Sequence, residues 1–193
     1  MLKRSVLAAV ISVAFACSTN AEASDGALTQ YREPWDHRIE ATQIAQSLFD
    51  EVVSWICENF DLPFTQARPL IEFASKNELT RIRIADRTDW HGFVQEETRT
   101  SSERSVVAVY DTISRTIYLP NDWIGKSAAD QSILVHEMVH HLQNLAGIKF
   151  ECPAAREKTA YLAQDRWLAR FGMSLEKEFE VDMFTIVISS ACM

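Results

Sequence analysis

Ser132-Ile-Leu-Val-His-Glu-Met-Val-His-His-Leu-Gln143 constrains this chain more than any other stretch. It contains His136-Glu137-x-x-His140. On a helix, residues four apart project from the same face, so the two imidazoles can aim at one point. Neutral imidazole is a good ligand for Zn²⁺, and two of them a turn apart supply half of a tetrahedral site. Glu137 follows the first His directly and stands beside that point without having to bind. Its carboxylate is placed to take a proton from a metal-bound water. Ile133, Leu134, Met138, Leu142 and Leu145 recur at three- and four-residue spacings, with no Pro or Gly before Gly147, which predicts a helix. Asp130 puts an acid in its early turns, and Gly147 fits a C-terminal cap. Two surface histidines flanking a glutamate by chance would give this pattern in about one such chain in a few hundred. The apolar flanks also sink the pair into a core, where unligated histidines are costly.

The N-terminus reads as a leader. Met1-Leu-Lys-Arg4 is basic, Val6 to Ala16 is apolar apart from Ser12, and Ala21-Glu22-Ala23 supplies a small-x-small cleavage pattern. A signal peptide over residues 1–23 and a single domain over 24–193 are the expected organisation. The alternative is a lipoprotein cut before Cys17, for which Ala14-Phe15-Ala16 is a poor signal. The apolar run is too short to span a bilayer, so no membrane insertion is expected after cleavage, and the product would be periplasmic or secreted. Without Lys3, Arg4 and Glu22 the formal charge moves from -8 to -9. Such an acidic balance argues against nucleic acid or anionic lipid as partners. In an oxidising compartment the remaining Cys57, Cys152 and Cys192 are an odd number, simplest as one disulfide and one buried thiol. Cys152 with Cys192 would tie the turn after the His-bearing helix to the C-terminus, although sequence alone leaves the pairing open.

The body of the chain predicts an α+β fold, mainly helical. A long helix is expected from His37 to about Phe60, on Ile39, Ile44, Leu48, Val52 and Ile56. Pro69 to Ala74 reads as a strand, and Asn77 as the cap of a helix from Glu78 through Ile84. Asp86 to Arg104, with Trp90-His91-Gly92, reads as an exposed loop. Val106–Asp111 and Arg115–Leu119 form a β-hairpin over Thr112, Ile113 and Ser114. Its edge either pairs with an extended peptide or only packs under the helices. Ser174 to about Ser190 reads as a C-terminal helix whose Phe179, Val181, Met183, Phe184 and Ile186 close the core.

A catalytic zinc needs a third protein ligand and an open position. Gln143 and Ala146 stand where the longer H-E-x-x-H-x-x-G-x-x-H pattern needs Gly and its third His, which excludes that version. Pro153 is suited to a helix start, and Ala155, Ala160, Leu162, Trp167 and Leu168 carry a helix to about Arg170. The short connection from Gly147 to Cys152 favours an antiparallel return. Glu157 then lies about one turn inside it, level with His136 and His140, and Tyr161 shares its face. Glu151 and Asp165 are rival ligands, one before the helix and the other two turns further along. His141 points roughly 100° away from His140.

His136-Glu-Met-Val-His140 with Glu157-Lys-Thr-Ala-Tyr161 on the following helix resembles the gluzincin metallopeptidases, especially the small minigluzincin kind. The resemblance covers roughly the second half of the chain. It implies a zincin-like domain with an edge-strand hairpin before the His-bearing helix. It also implies one zinc per chain on His136, His140 and Glu157, with Glu137 as general base. Two features depart from thermolysin-like enzymes. Glu157 follows His140 by fewer residues, and Tyr161 stands where those enzymes carry an Asp that orients a ligand His. That support is expected from Asp165, Gln164 or a main-chain carbonyl.

The leading expectation is an exported zinc peptidase acting on peptides or proteins, with Tyr161, Tyr110 and His91 as candidate oxyanion donors. One alternative is a catalytically quiet zinc-binding or regulatory protein of the same fold. Another is an interaction protein without metal. The intact Glu137 speaks against both, since a scaffold has no need of a base beside the metal.

Overall fold

A 26-residue helix, α1 (Pro34–Asn59), opens the part of the chain that the computed structural model describes, residues 34–88 and 107–192. The expected leader, Cys17, most of the arm from Ser24 and the Trp90-His91-Gly92 stretch lie outside the described residues. The inward stripe of α1 is Ala41, Ala45, Phe49, Val52, Val53 and Ile56, at helical spacing. Ile39, expected inward, is 52% exposed. Alanines take the inward positions in this half, small enough for a close approach.

Strand β1 (Leu70–Ala74) leads into α2 (Lys76–Thr88). The cap is Ser75 rather than Asn77. The Glu78 carboxylate accepts from the Ser75 backbone N–H at 2.8 Å and from its hydroxyl at 2.6 Å, a capping box that the Ser-x-x-Glu spacing encodes. The helix also runs past Ile84 to Thr88, taking in Asp86, which the sequence placed in a loop.

The hairpin forms as expected from β2 (Val109–Asp111) and β3 (Thr116–Pro120), with Tyr110 opposite Ile117. Asp111 shapes its turn by accepting from the backbone N–H groups of Ile113 and Ser114 at 2.8 and 3.2 Å. β1 pairs parallel with β3, giving the order β1-β3-β2. Among the described residues β2 is therefore a sheet edge.

The helix carrying the two histidines is α3 (Ala128–Leu145), and it is central, packing on α1, β2, β3 and the helix that follows. From Ser132 to Gln143 every residue except His136 is buried. Ser127 caps its start, accepting from Asp130 N–H at 3.0 Å. Gly147 ends it with φ +63. Ile148 N–H bonds Gln143 O at 3.1 Å and Gly147 N–H bonds Asn144 O at 3.0 Å, the paired bonds of a Schellman cap.

The return begins as one 3-10 turn, Pro153–Arg156, before α4 (Glu157–Ala169). Cys152, directly ahead of that turn, is joined to Cys192, and Cys57 is free. The C-terminal segment departs from the single helix read from the sequence. It forms α5 (Leu175–Phe179) and α6 (Met183–Ser189), broken at Glu180 with φ 56 and restarted by Asp182, which accepts from Thr185 N–H at 2.7 Å. The cause is geometric. On one helix Leu175 and Ile186 would share a face and Val181 would point roughly 120–140° away from them, whereas the break brings all three into one cluster with Leu168. Met183 and Phe184, expected in the core, are exposed. The fold is α+β and mainly helical, and no described helix is long and apolar enough to cross a membrane.

Candidate metal centre

The antiparallel packing of α3 and α4 follows from their contacts: Gln164 meets Ser132 and His136, while lower-numbered Glu157 meets His140. This brings together the three residues the sequence proposed. His136 Nε2 lies 3.2 Å and His140 Nε2 3.5 Å from the same oxygen, Oε2 of Glu157. The ligand atoms of all three residues lie within 4.8 Å of one another. A tetrahedral site with bonds of 2.0–2.1 Å has ligand–ligand edges of about 3.3–3.4 Å, so two of the three edges already match. His140 and Glu157 are buried, and the His136 side chain is 12% exposed, opening on a pocket.

Hydrogen bonds behind the imidazoles fix which nitrogen is free. Ser132 Oγ donates to Ala129 O at 2.7 Å and so accepts from Gln164 Nε2 at 3.3 Å. That turns Gln164 Oε1 to His136 Nδ1 at 3.1 Å, and an amide oxygen there requires a proton on Nδ1. Gln143 Nε2 donates to Arg156 O at 3.1 Å, which turns its Oε1 to His140 Nδ1, also 3.1 Å away. Arg156 Nε stands 3.3 Å from that same nitrogen and competes for it. The shorter Gln143 contact, anchored on a carbonyl, sets the tautomer. Both Nε2 lone pairs then face the Glu157 carboxylate. Burial alone would push the Glu157 carboxyl up; with no metal between them, a proton carried towards it by the His140 or His136 imidazole holds it well below the usual carboxylate range. Three electron-rich atoms this close need a positive charge among them, either a proton on an imidazole or a metal ion. The group can hold a metal ion.

His141 is sorted differently. Its Nε2 donates to Ala67 O at 2.8 Å, so Nδ1, 3.1 Å from the Tyr110 hydroxyl, is the acceptor. Asn144 Nδ2 donates to that hydroxyl at 2.9 Å. Burial pushes the His141 pKa down. It is a neutral strut joining α3 to the sheet, and Tyr110 is tied to it.

A family model described as Domain of unknown function (DUF6647) matches residues 41–193, a span that takes in the whole site. The chain belongs to that family. No curated protein and no solved structure matches it.

The other sequence candidates separate cleanly within this DUF6647 member. Glu137 is buried and lines the pocket. The Tyr161 ring stands edge-on to His136, centroids 4.7 Å apart. Gln164 is the orienting group for His136, whereas Asp165 accepts from Leu175 N–H at 2.9 Å and faces the next turn. Glu151 is exposed and outside the cluster, and His91 lies outside the described residues. Arg83 is the residue that sequence reading missed. Its Nη2 lies 3.8 Å from Glu157 Oε1. Burial works against its charge, but Glu157, Tyr161 and Glu137 around it hold the guanidinium charged. The signal was available: Arg83 follows fully buried Leu79 by four residues, so it sits on the inward face of α2.

Proposed function

We propose that this protein is an exported zinc-dependent peptidase of gluzincin type. The observation that carries the reading is the convergence of two Nε2 lone pairs and one Glu157 oxygen on a single point, with Glu137 beside it. Zinc bound there would lower the pKa of a water molecule and polarise a carbonyl. Glu137 accepts the proton as the water oxygen adds to the scissile carbon and the π pair moves onto the carbonyl oxygen. As the oxygen pair re-forms the C=O bond, the C–N bond breaks, and the nitrogen takes its electron pair and receives the proton from Glu137. Gln164 and Gln143 keep the two ligands aimed throughout. Val109 and Tyr110 of the edge strand, with Ala108 just before it, line the same pocket, which supports binding of an extended peptide alongside β2. The Cys152–Cys192 disulfide suits the oxidising compartment that the leader-like N-terminus implies.

The test is zinc content and turnover of the mature protein. One zinc per chain, lost in His136→Ala and Glu157→Ala, is expected. Glu137→Gln should keep the zinc and abolish cleavage of a peptide library. Absence of zinc in the wild type after supplementation refutes the proposal. Full zinc with no cleavage of any peptide moves it to a quiet zinc-binding protein.

A further inference from the structure

Hydrolysis at this centre needs a donor for the negative charge that develops on the carbonyl oxygen. Of the candidates named from sequence, Tyr110 is committed to His141 and Asn144, and His91 is outside the described residues. Arg83 meets the requirement better. It comes from α2, lines the pocket, and keeps 34% of its side chain exposed. Tyr161 lies beside it, and the Tyr161 ring in turn rests on His136. Its Nη2 lies 3.8 Å from Glu157 Oε1, so the guanidinium flanks the ligand point on the side of the carboxylate oxygen that the imidazoles leave alone.

Charge supports the same assignment. The described side chains lining the pocket include Arg83 and Arg156 against Glu137 and Glu157, which cancel. A divalent cation at the ligand point would leave a surplus of about two positive charges, inside a chain of formal charge -8. Such a site favours a group that becomes anionic.

We propose that Arg83 is the catalytic residue that receives the oxyanion of the tetrahedral intermediate. This rests on the zinc-peptidase reading. A guanidinium offers planar, paired N–H donors that no lysine reproduces. A merely structural Arg83 would instead hold Glu157 in place, and its loss would be felt in metal affinity.

The experiment uses zinc-loaded wild type, Arg83→Met and Arg83→Lys, with two probes: methylphosphonate, a tetrahedral anion, and imidazole, a neutral metal ligand. Zinc content and imidazole affinity are expected to stay within about twofold in both variants. Methylphosphonate affinity should fall about tenfold or more in Arg83→Met, with partial recovery in Arg83→Lys. Unchanged methylphosphonate affinity in Arg83→Met overturns the assignment. Loss of zinc from Arg83→Met also overturns it, and makes Arg83 a support for Glu157. A wild type that takes up no zinc refutes the peptidase reading itself, before any probe is added.

Discussion

Replacing Gln164 by Met tests the centre without touching a ligand. Gln164 is 5% exposed, and its Oε1 is the acceptor for His136 Nδ1–H at 3.1 Å. Methionine fills nearly the same volume and accepts poorly. His136 then either keeps a buried N–H without an acceptor, at a cost of about 1–3 kcal/mol, or changes tautomer. In the second case Nε2–H donates to Glu157 Oε2, now 3.2 Å away, and that bond must be broken before a metal can enter. Both routes oppose metal binding and not folding alone. Loss of such an orienting partner weakens metal affinity by about 10- to 100-fold, or roughly 1.4–2.8 kcal/mol. Competition against a chromogenic zinc chelator reads this directly, with the circular dichroism spectrum and Tm as the control for folding. A folded Gln164→Met variant that binds zinc within twofold of wild type refutes the argument that Gln164 sets the His136 tautomer.

Nitrogen-15 long-range correlation spectra of the zinc-loaded protein at pH 8 should place the proton on Nδ1 in His136 and His140 and on Nε2 in His141; a shared tautomer for all three contradicts the hydrogen-bond assignment. Replacing Cys152 and Cys192 together by Ser opens a link between residues 40 positions apart. Chain entropy puts the loss at about 4 kcal/mol, measurable by urea unfolding, and a loss under about 1 kcal/mol would mean that the link constrains little. Burial first, and then Glu58 beside it, pushes the Cys57 thiol up. Its thiolate is therefore scarce at neutral pH, and alkylation by iodoacetamide should run well below the rate of a free thiol at pH 7 and rise as pH passes 9. Reaction at the free-thiol rate at pH 7 counts against the half-buried placement beside Glu58.

The parts of the fold that were legible are those written in short-range pattern. Spacing of four put His136 and His140 on one face, and the short 147–152 connection brought Glu157 back level with them. Alternation around Thr112–Ser114 gave the hairpin. The capping box was equally local: Ser75 and Glu78 carry it, and Asn77 drew attention only because it is a common cap residue. What escaped depends on contacts between distant elements. Nothing near Glu180 marks a break, since a glutamate at positive φ has no Gly or Pro beside it. The break is imposed by the need of Leu175, Val181 and Ile186 to reach Leu168. Arg83 escaped in part for the same reason: its spacing of four from Leu79 puts it on the inward face of α2, but its role shows only once the neighbouring acids are known.

The choice of orienting groups bears on what the centre can do. Histidine ligands are often backed by carboxylates, which make the imidazoles more basic and add negative charge. Here the supports are two neutral amides, Gln143 and Gln164. On the zinc reading, two neutral imidazoles, one Glu157 carboxylate and a divalent cation sum to +1. Carboxylates at both supporting positions would carry that sum to -1. Amides fix the tautomers equally well and leave the positive charge in place. A centre that must stabilise an anion in its transition state gains from keeping that charge, and gains again from Arg83 on its flank. On this account Gln143→Glu and Gln164→Glu would hold zinc more tightly than wild type and turn over more slowly. Affinity and rate would then move in opposite directions, a pattern that loss of folding cannot produce.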